Sequence, residues 1–193
     1  VFFDGAFALC QKKRMRMEKK TEADIIAEVL AGNSQAYARL VEEYKTAIYN
    51  LAYRMTGNFQ DAQDLAQEAF IRAYKNLAVF DPSRSFFTWL YTISINLIRN
   101  DLKKKGRDSS APAGGSFHTD PVPSMDTRDN AKEELLEIYL AKLSPQIREL
   151  IVLRYYQGLS FEAIAEITGL SKSAVKMRIY RGLEKLQKYF ENM

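Results

Sequence analysis

The chain has 193 residues, with 28 Lys+Arg against 24 Asp+Glu, a formal net charge of +4 and 47% hydrophobic residues. That length fits one ordinary domain or two small ones, and the apolar share is enough to build a core. One cysteine, Cys10, and one histidine, His118, exclude a disulfide framework, a multi-cysteine zinc site and histidine-based catalysis, so no metal or cofactor is expected and the composition points away from an enzyme.

The modest positive charge permits a polyanionic partner without requiring one, because distribution matters more than the sum. No apolar run approaches the ~18–20 residues that span a bilayer. The apolar opening, Val1 to Cys10, is interrupted by Asp4 and followed by basic residues, the reverse of signal-peptide order. Residues 1–16 are therefore expected to be an N-terminal extension outside the fold.

Apolar residues recur at helical spacing almost throughout, and no stretch alternates like a strand. Thr21-Glu22-Ala23-Asp24 resembles a capping box opening a short helix to about Leu30. Gly32 and Asn33 interrupt, and Asn33 is placed to cap a long second helix with a stripe of Tyr37, Leu40, Val41, Tyr44, Ile48, Leu51, Ala52 and Met55. Gly57-Asn58 ends it. A third helix, 59–78, presents Ala62, Leu65, Ala66, Ala69, Phe70, Ala73 and Leu77 to the core. Its other side carries Asp61, Asp64, Gln67 and Glu68, where spacings of three and four place the acids on one face. With no histidine, Gly-rich loop or nucleophile beside them, these acids read as a solvated face or a dock for a basic partner.

Asp81 to Ser85 forms a turn, and a fourth helix runs from Phe86 to about Lys104. It packs four aromatics (Phe86, Phe87, Trp89, Tyr91) into six positions, followed by Asn96, Arg99, Asn100, Lys103, Lys104, Lys105 and Arg107. Both sides of a helix are not expected to be core, so some rings should be accessible. Aromatics beside a basic run suit stacking on unpaired bases while cations track the phosphates. Three of the five prolines and three of the nine glycines then fall between Lys105 and Asp129, with no apolar period, which reads as a flexible linker.

Helical spacing resumes near Asn130. Ser144-Pro145 supplies a cap and a first-turn proline for a helix reaching Tyr156, stopped by Gly158. Ser160 then caps a short helix, 161–168, with Ile164, Ala165 and Ile167 inward. Gly169 provides the left-handed turn residue, Leu170 enters the core, and Ser171 caps a last helix with Val175, Ile179, Leu183 and Leu186 inward. This is the pattern of a helix-turn-helix. Between Ser171 and Lys188 the last helix bears six basic residues (Lys172, Lys176, Arg178, Arg181, Lys185, Lys188) against one acid, Glu184. Lys172, Lys176 and Arg181 fall on its exposed face, where they can meet phosphates or guanine edges. Arg178 stands where the motif commonly has an apolar residue, leaving Ile179 to fill the core.

Taken together the motifs resemble the extracytoplasmic-function (group 4) sigma factors of the sigma-70 family. The run 61–74, DAQDLAQEAFIRAY, resembles region 2.2; 80–91, FDPSRSFFTWLY, through Asn96 resembles regions 2.3 and 2.4; and 143–186 resembles region 4. The resemblance implies an all-α chain of two small helical domains: a region 2-like bundle at 17–105 and a region 4-like helix-turn-helix at 130–193. A flexible linker, 106–129, joins them. It implies that Asp61, Asp64, Gln67 and Glu68 contact the β′ coiled coil of core RNA polymerase, with the β flap a further partner surface. It implies that Phe86, Phe87, Trp89, Asn96, Arg99, Asn100 and Lys103 hold the melted non-template strand of the −10 element, where extruding a base costs a few kcal/mol. Lys172, Ser173, Lys176, Met177, Arg178, Tyr180 and Arg181 would engage duplex −35 DNA. Lys at 176, where the family often has Arg, lacks the bidentate fork. A cytoplasmic bacterial setting and an anti-sigma partner, often membrane-anchored in the family, are implied too. The alternative is a stand-alone helix-turn-helix regulator with an N-terminal interaction domain.

Overall fold

A computed structural model of the chain describes residues 19–108 and 130–191. The expected extension at 1–16 and nearly all of the expected linker lie outside the described residues, as do Cys10 and His118. Eight α-helices make up the described chain: α1 (Lys19–Leu30), α2 (Tyr37–Thr56), α3 (Phe59–Lys75), α4 (Phe86–Asp108), α5 (Asn130–Ala141), α6 (Pro145–Ile151), α7 (Phe161–Thr168) and α8 (Lys172–Glu191). There are no strands among the described residues, and no helix there is long and apolar enough to cross a membrane.

Helices α1 to α4 form the first bundle. Ile25, Ile26 and Val29 of α1 are buried, and α3 turns its small face, Ala62, Ala66, Ala69 and Ala73, inward so that α2 lies close against it. Gly57 (φ +68°) reverses the chain between α2 and α3, its N–H donating to the Tyr53 carbonyl at 2.7 Å. Asn58 Oδ1 then accepts from the Asp61 N–H at 3.0 Å and caps α3. The Tyr37 hydroxyl donates to the Phe70 carbonyl at 2.9 Å, and burial raises its pKa well above the usual phenol value.

Several helix ends differ from the sequence expectation. Asn33 makes no side-chain capping bond, because a 3₁₀ turn, Ser34–Ala36, intervenes before α2. The third helix stops at Lys75 rather than 78: Asn76 Nδ2 donates to the Arg72 carbonyl at 2.8 Å, and a second 3₁₀ turn, Leu77–Val79, follows. Helix α4 continues to Asp108, past the expected linker boundary. Ser144 does not cap α6 through its side chain, although Pro145 occupies the first turn as expected; beyond Ile151 one π-helical turn, Val152–Tyr156, continues the rod.

The larger departure concerns α4. Phe86, Leu90, Tyr91, Ile95, Leu97 and Ile98 are all buried, more than one stripe can supply. The reason is that the second unit, α5 to α8, packs onto the first, and α7 lies against α4. One apolar cluster runs from Ile25 and Leu40 through Ile95 to Leu150, Val152, Ile164, Val175 and Ile179. Polar groups stitch the same seam. Arg99 Nε and Nη2 donate to the two Glu149 carboxylate oxygens at 2.8 and 2.6 Å. Arg54 Nε pairs with Glu137 at 3.0 Å, and its guanidinium lies 4.0 Å from the centre of the Tyr156 ring. The Tyr91 hydroxyl donates to Gln157 Oε1 at 2.7 Å. Arg148 is buried and donates to the carbonyls of Leu140 (2.9 Å), Ala141 (2.5 Å) and Leu143 (3.4 Å) in its own unit and Met55 (3.1 Å) in the other. Desolvation lowers its pKa, and the ring of carbonyls offsets the burial of its charge.

Candidate nucleic-acid interface

The helix-turn-helix is built as its residues dictate. Ser160 Oγ accepts from the Ala163 N–H at 3.1 Å to start α7, and Gly169 (φ +72°) ends it with its N–H on the Ala165 carbonyl at 2.9 Å. Ser171 Oγ accepts from the Ala174 N–H at 3.2 Å and starts α8. Ile164, Ile167, Val175, Ile179 and Leu186 are buried, while Leu170 and Leu183 are half-buried. Arg178 is exposed and Ile179 fully buried, so the unusual arginine costs the core nothing.

Lys172, Ser173, Lys176, Met177, Arg178, Tyr180 and Arg181 are all exposed on α8. Met177 and Tyr180, at 50% and 56% exposure, add apolar surface among the cations. Lys172 pairs with Glu162 of α7, which holds the Glu162 carboxyl below its usual pKa through that hydrogen bond. Arg154 and Lys176 both lie over the Phe161 ring, at 4.5 and 5.3 Å from its centre. Phe161 thus steadies one edge of the basic face.

The α4 residues divide into three groups. Phe86 is buried, 5.7 Å from both the Phe80 and Trp89 ring centres, and offers no face for stacking in this structure. Its role as a base contact is corrected to core. Phe87 and Trp89 are half-buried, and Asn96, Asn100 and Lys103 are exposed. Arg99 is turned toward Glu149 rather than outward.

Trp89 and Asn96 meet in a cleft of about 320 Å³ completed by Arg72, Asn76, Val79 and Ile93. That volume lies at the low end for pockets that hold small organic groups. The sequence reading did not include those four residues; Val79 stands out only in the structure, as an apolar residue 79% exposed. Ahead of the cleft, the Ser83 N–H donates to Asp81 Oδ1 at 2.9 Å, which closes the 81–85 turn and lowers the Asp81 pKa.

On α3, Asp61, Asp64, Gln67 and Glu68 share one side, but not all are free. Asp61 pairs with Lys105 of α4 at 2.6 Å, and Glu68 pairs with Arg72 at 2.6 Å. Asp64 and Gln67 instead edge an open groove of about 990 Å³ between α2 and α3, with Tyr37, Val41, Tyr49, Phe70, Ile71 and Tyr74 along it. Phe59, Ile71 and Tyr74 are large, exposed and apolar, so the acidic face borders an oily one. The sequence reading took only Asp61, Asp64, Gln67 and Glu68.

The family model described as Sigma-70 region 2 matches residues 40–108, and that described as Sigma-70, region 4 matches residues 133–186. The "ECF RNA polymerase sigma factor SigW" of Bacillus subtilis is 38% identical over 184 residues, covering 87% of this chain and 96% of that protein. Among solved structures, CnrH in complex with the cytosolic domain of CnrY superposes with a TM-score of 0.68 at 29% identity, over 89% of this chain and 98% of that one. The sigma factor RpoE of Bartonella quintana, solved with the anti-sigma factor NepR, shares the fold: TM-score 0.63, 24% identity, 80% of this chain and 96% of that one.

Proposed function

The chain belongs to the extracytoplasmic-function sigma factors of the sigma-70 family, and from that premise we propose how its surfaces divide the work of starting transcription at chosen promoters. It is an alternative sigma factor, partnered by core RNA polymerase and promoter DNA. Polymerase makes and breaks the bonds; this chain contributes binding free energy and no bond chemistry, and it works in the cytoplasm.

Asp64 and Gln67 meet the polymerase β′ coiled coil, with Asp61 and Glu68 joining once their lysine and arginine exchange partners. The neighbouring Ile71 and Tyr74 supply the buried area. Acid against a basic partner sets orientation and association rate, while the apolar strip supplies affinity.

Helix α8 lies on duplex −35 DNA, its Lys172, Lys176, Arg178 and Arg181 on phosphates and base edges, with Ser173, Met177 and Tyr180 between them. The −10 strand runs along α4, where Asn96, Asn100 and Lys103 follow the backbone and an unstacked base enters the Trp89–Asn96 cleft beside Phe87. Two weak sites on one chain raise each other's effective concentration. Residues 17–105 act as the polymerase and −10 unit, and 130–193 as the −35 unit. An anti-sigma factor, a soluble or membrane-anchored competitor for these same faces, fits this family membership.

The observation that carries the reading is the presence on one chain of an acidic–apolar helix face, a Trp89–Asn96 cleft and a basic helix-turn-helix. The test is transcription from a randomised promoter library by core polymerase with and without the purified chain. Enrichment of one bipartite motif is expected. Refutation would be no enrichment, or a two-fold symmetric footprint made by the chain alone.

A further inference from the structure

The exposed side of α8 is not uniformly charged. Buried Val175, Ile179, Gly182 and Leu186 fix the direction of the core. With successive residues turning by about 100°, Met177 lies within about 10° of the opposite direction, and Ser173, Tyr180 and Arg181 lie about 30–50° from that line. Lys176 and Arg178 stand about a quarter-turn to either side of it. Met177, half of it open to solvent, thus occupies the centre of the exposed face with a cation on each flank, and Tyr180, one turn on, is exposed beside it. Contacts with α7 hold one flank in place: Lys176 lies over the Phe161 ring, 5.3 Å from its centre, and Lys172 pairs with Glu162.

A helix seated in the major groove has phosphates along both walls and base edges on the floor. The flanking cations meet the walls, and the central methionine meets the floor. A thioether is only a weak hydrogen-bond acceptor, so it cannot read the donor and acceptor code of the base edges. The one apolar substituent that a base pair offers there is the C5-methyl of thymine. We propose that Met177 is a specificity-determining residue that packs on a thymine methyl of the −35 element, with the Tyr180 ring closing its second side. The chain thereby demands an A·T pair at that step. An unbranched, polarisable side chain conforms well to such a small apolar group. Taking one methyl out of water is worth about fourfold in affinity. An apolar protein surface is the poorer partner for this face, because it would strand Lys176, Arg178 and Arg181 without water or counter-charge.

The role of Met177 rests on the assignment of α8 to duplex −35 DNA, and the experiment separates the two. The full chain with core polymerase selects promoters from a randomised duplex library. Duplexes carrying the enriched motif are then made with deoxyuridine replacing each −35 thymidine in turn, which removes one methyl and leaves every hydrogen-bonding group in place. One such replacement is expected to weaken binding of the natural chain by about fourfold, with the slope of log affinity against log salt unchanged, since no phosphate contact is lost. Met177→Ala should bind the thymine and uracil duplexes equally, at the weaker level, whereas Met177→Leu, which keeps an apolar side chain, should still discriminate. A −35 motif without thymine on either strand, indifference of the natural chain to every replacement, or discrimination persisting in Met177→Ala overturns the methyl contact and leaves the −35 assignment standing. Loss of core polymerase capture by Met177→Ala with its thymine preference intact would give the residue to a protein partner instead, and overturns the proposal too. Enrichment of no motif at all strikes the −35 assignment itself, and the role of Met177 falls with it.

Discussion

Gly182 sits buried in the middle of α8, where a Cβ would lie 2.5 Å from Ile147 Cγ2 and 2.7 Å from Ile151 Cδ1. Ile151 can swing its terminal methyl aside, but the Ile147 branch is fixed at χ1 in a helix. Gly182→Ala must therefore push α8 off α6 by a fraction of an ångström. Overpacking of this kind costs about 1–3 kcal/mol, against which the helix gains about 1 kcal/mol from replacing glycine. The expected net is a loss of about 1 kcal/mol. Gly106 in α4 supplies the control, since nothing lies within 4 Å of its would-be Cβ. Gly106→Ala carries the propensity gain alone, up to about 1 kcal/mol of stabilisation. Urea unfolding of the full chain gives both numbers, and the shared core makes a single transition the expectation. The difference between the two variants isolates the strain, about 1–3 kcal/mol. If Gly182→Ala stabilises as much as Gly106→Ala, α6 and α8 do not press together as described.

Asp64→Lys should weaken core polymerase capture in a pull-down while leaving duplex DNA binding through α8 intact; unchanged capture would remove Asp64 from the docking face. Lys176→Ala and Arg181→Ala should each lower duplex affinity and reduce the slope of log affinity against log salt by about 0.9, the loss of one phosphate contact, and a salt-independent defect would argue for misfolding instead. The Tyr37 phenol has its pKa raised on folding, so its stability contribution is whole below the unfolded value near 10 and falls away as pH climbs through the folded one. Alkaline unfolding should flatten in Tyr37→Phe, and an identical alkaline slope would mean that Tyr37 ionises in the native state.

Much of the fold was written locally. The serine caps at 160 and 171, Gly169 between them and the inward stripe from Ile164 to Leu186 gave the helix-turn-helix almost to the residue, because each choice acts within one turn of helix. Asn33 and Ser144 mislead for the same reason: both residues favour caps, yet the backbone takes a 3₁₀ turn at one and leaves the hydroxyl unused at the other. What was not legible was the seam. Phe86 read as an accessible ring, yet Tyr44, Phe80 and Trp89 of its own unit pack around it, and periodicity carries no sign that α7 will cover a further side of α4. Nor does any local signal pair Arg99 with Glu149, fifty positions on. On α3 the acids were visible as a pattern, whereas Ile71 and Tyr74 were visible only as two more apolar residues in a helix that needs several.

The cleft beside α4 has a spectroscopic consequence. Trp89 is the chain's one tryptophan, and it stands at the wall of that cleft with its ring 5.0 Å from Phe80. Every photon of indole emission therefore originates at a single address, without a dye or an engineered label. A base sliding against that ring would quench it, while duplex DNA settling on the far helix would leave it bright. Stopped-flow emission could thus time the capture of melted DNA separately from docking on the duplex.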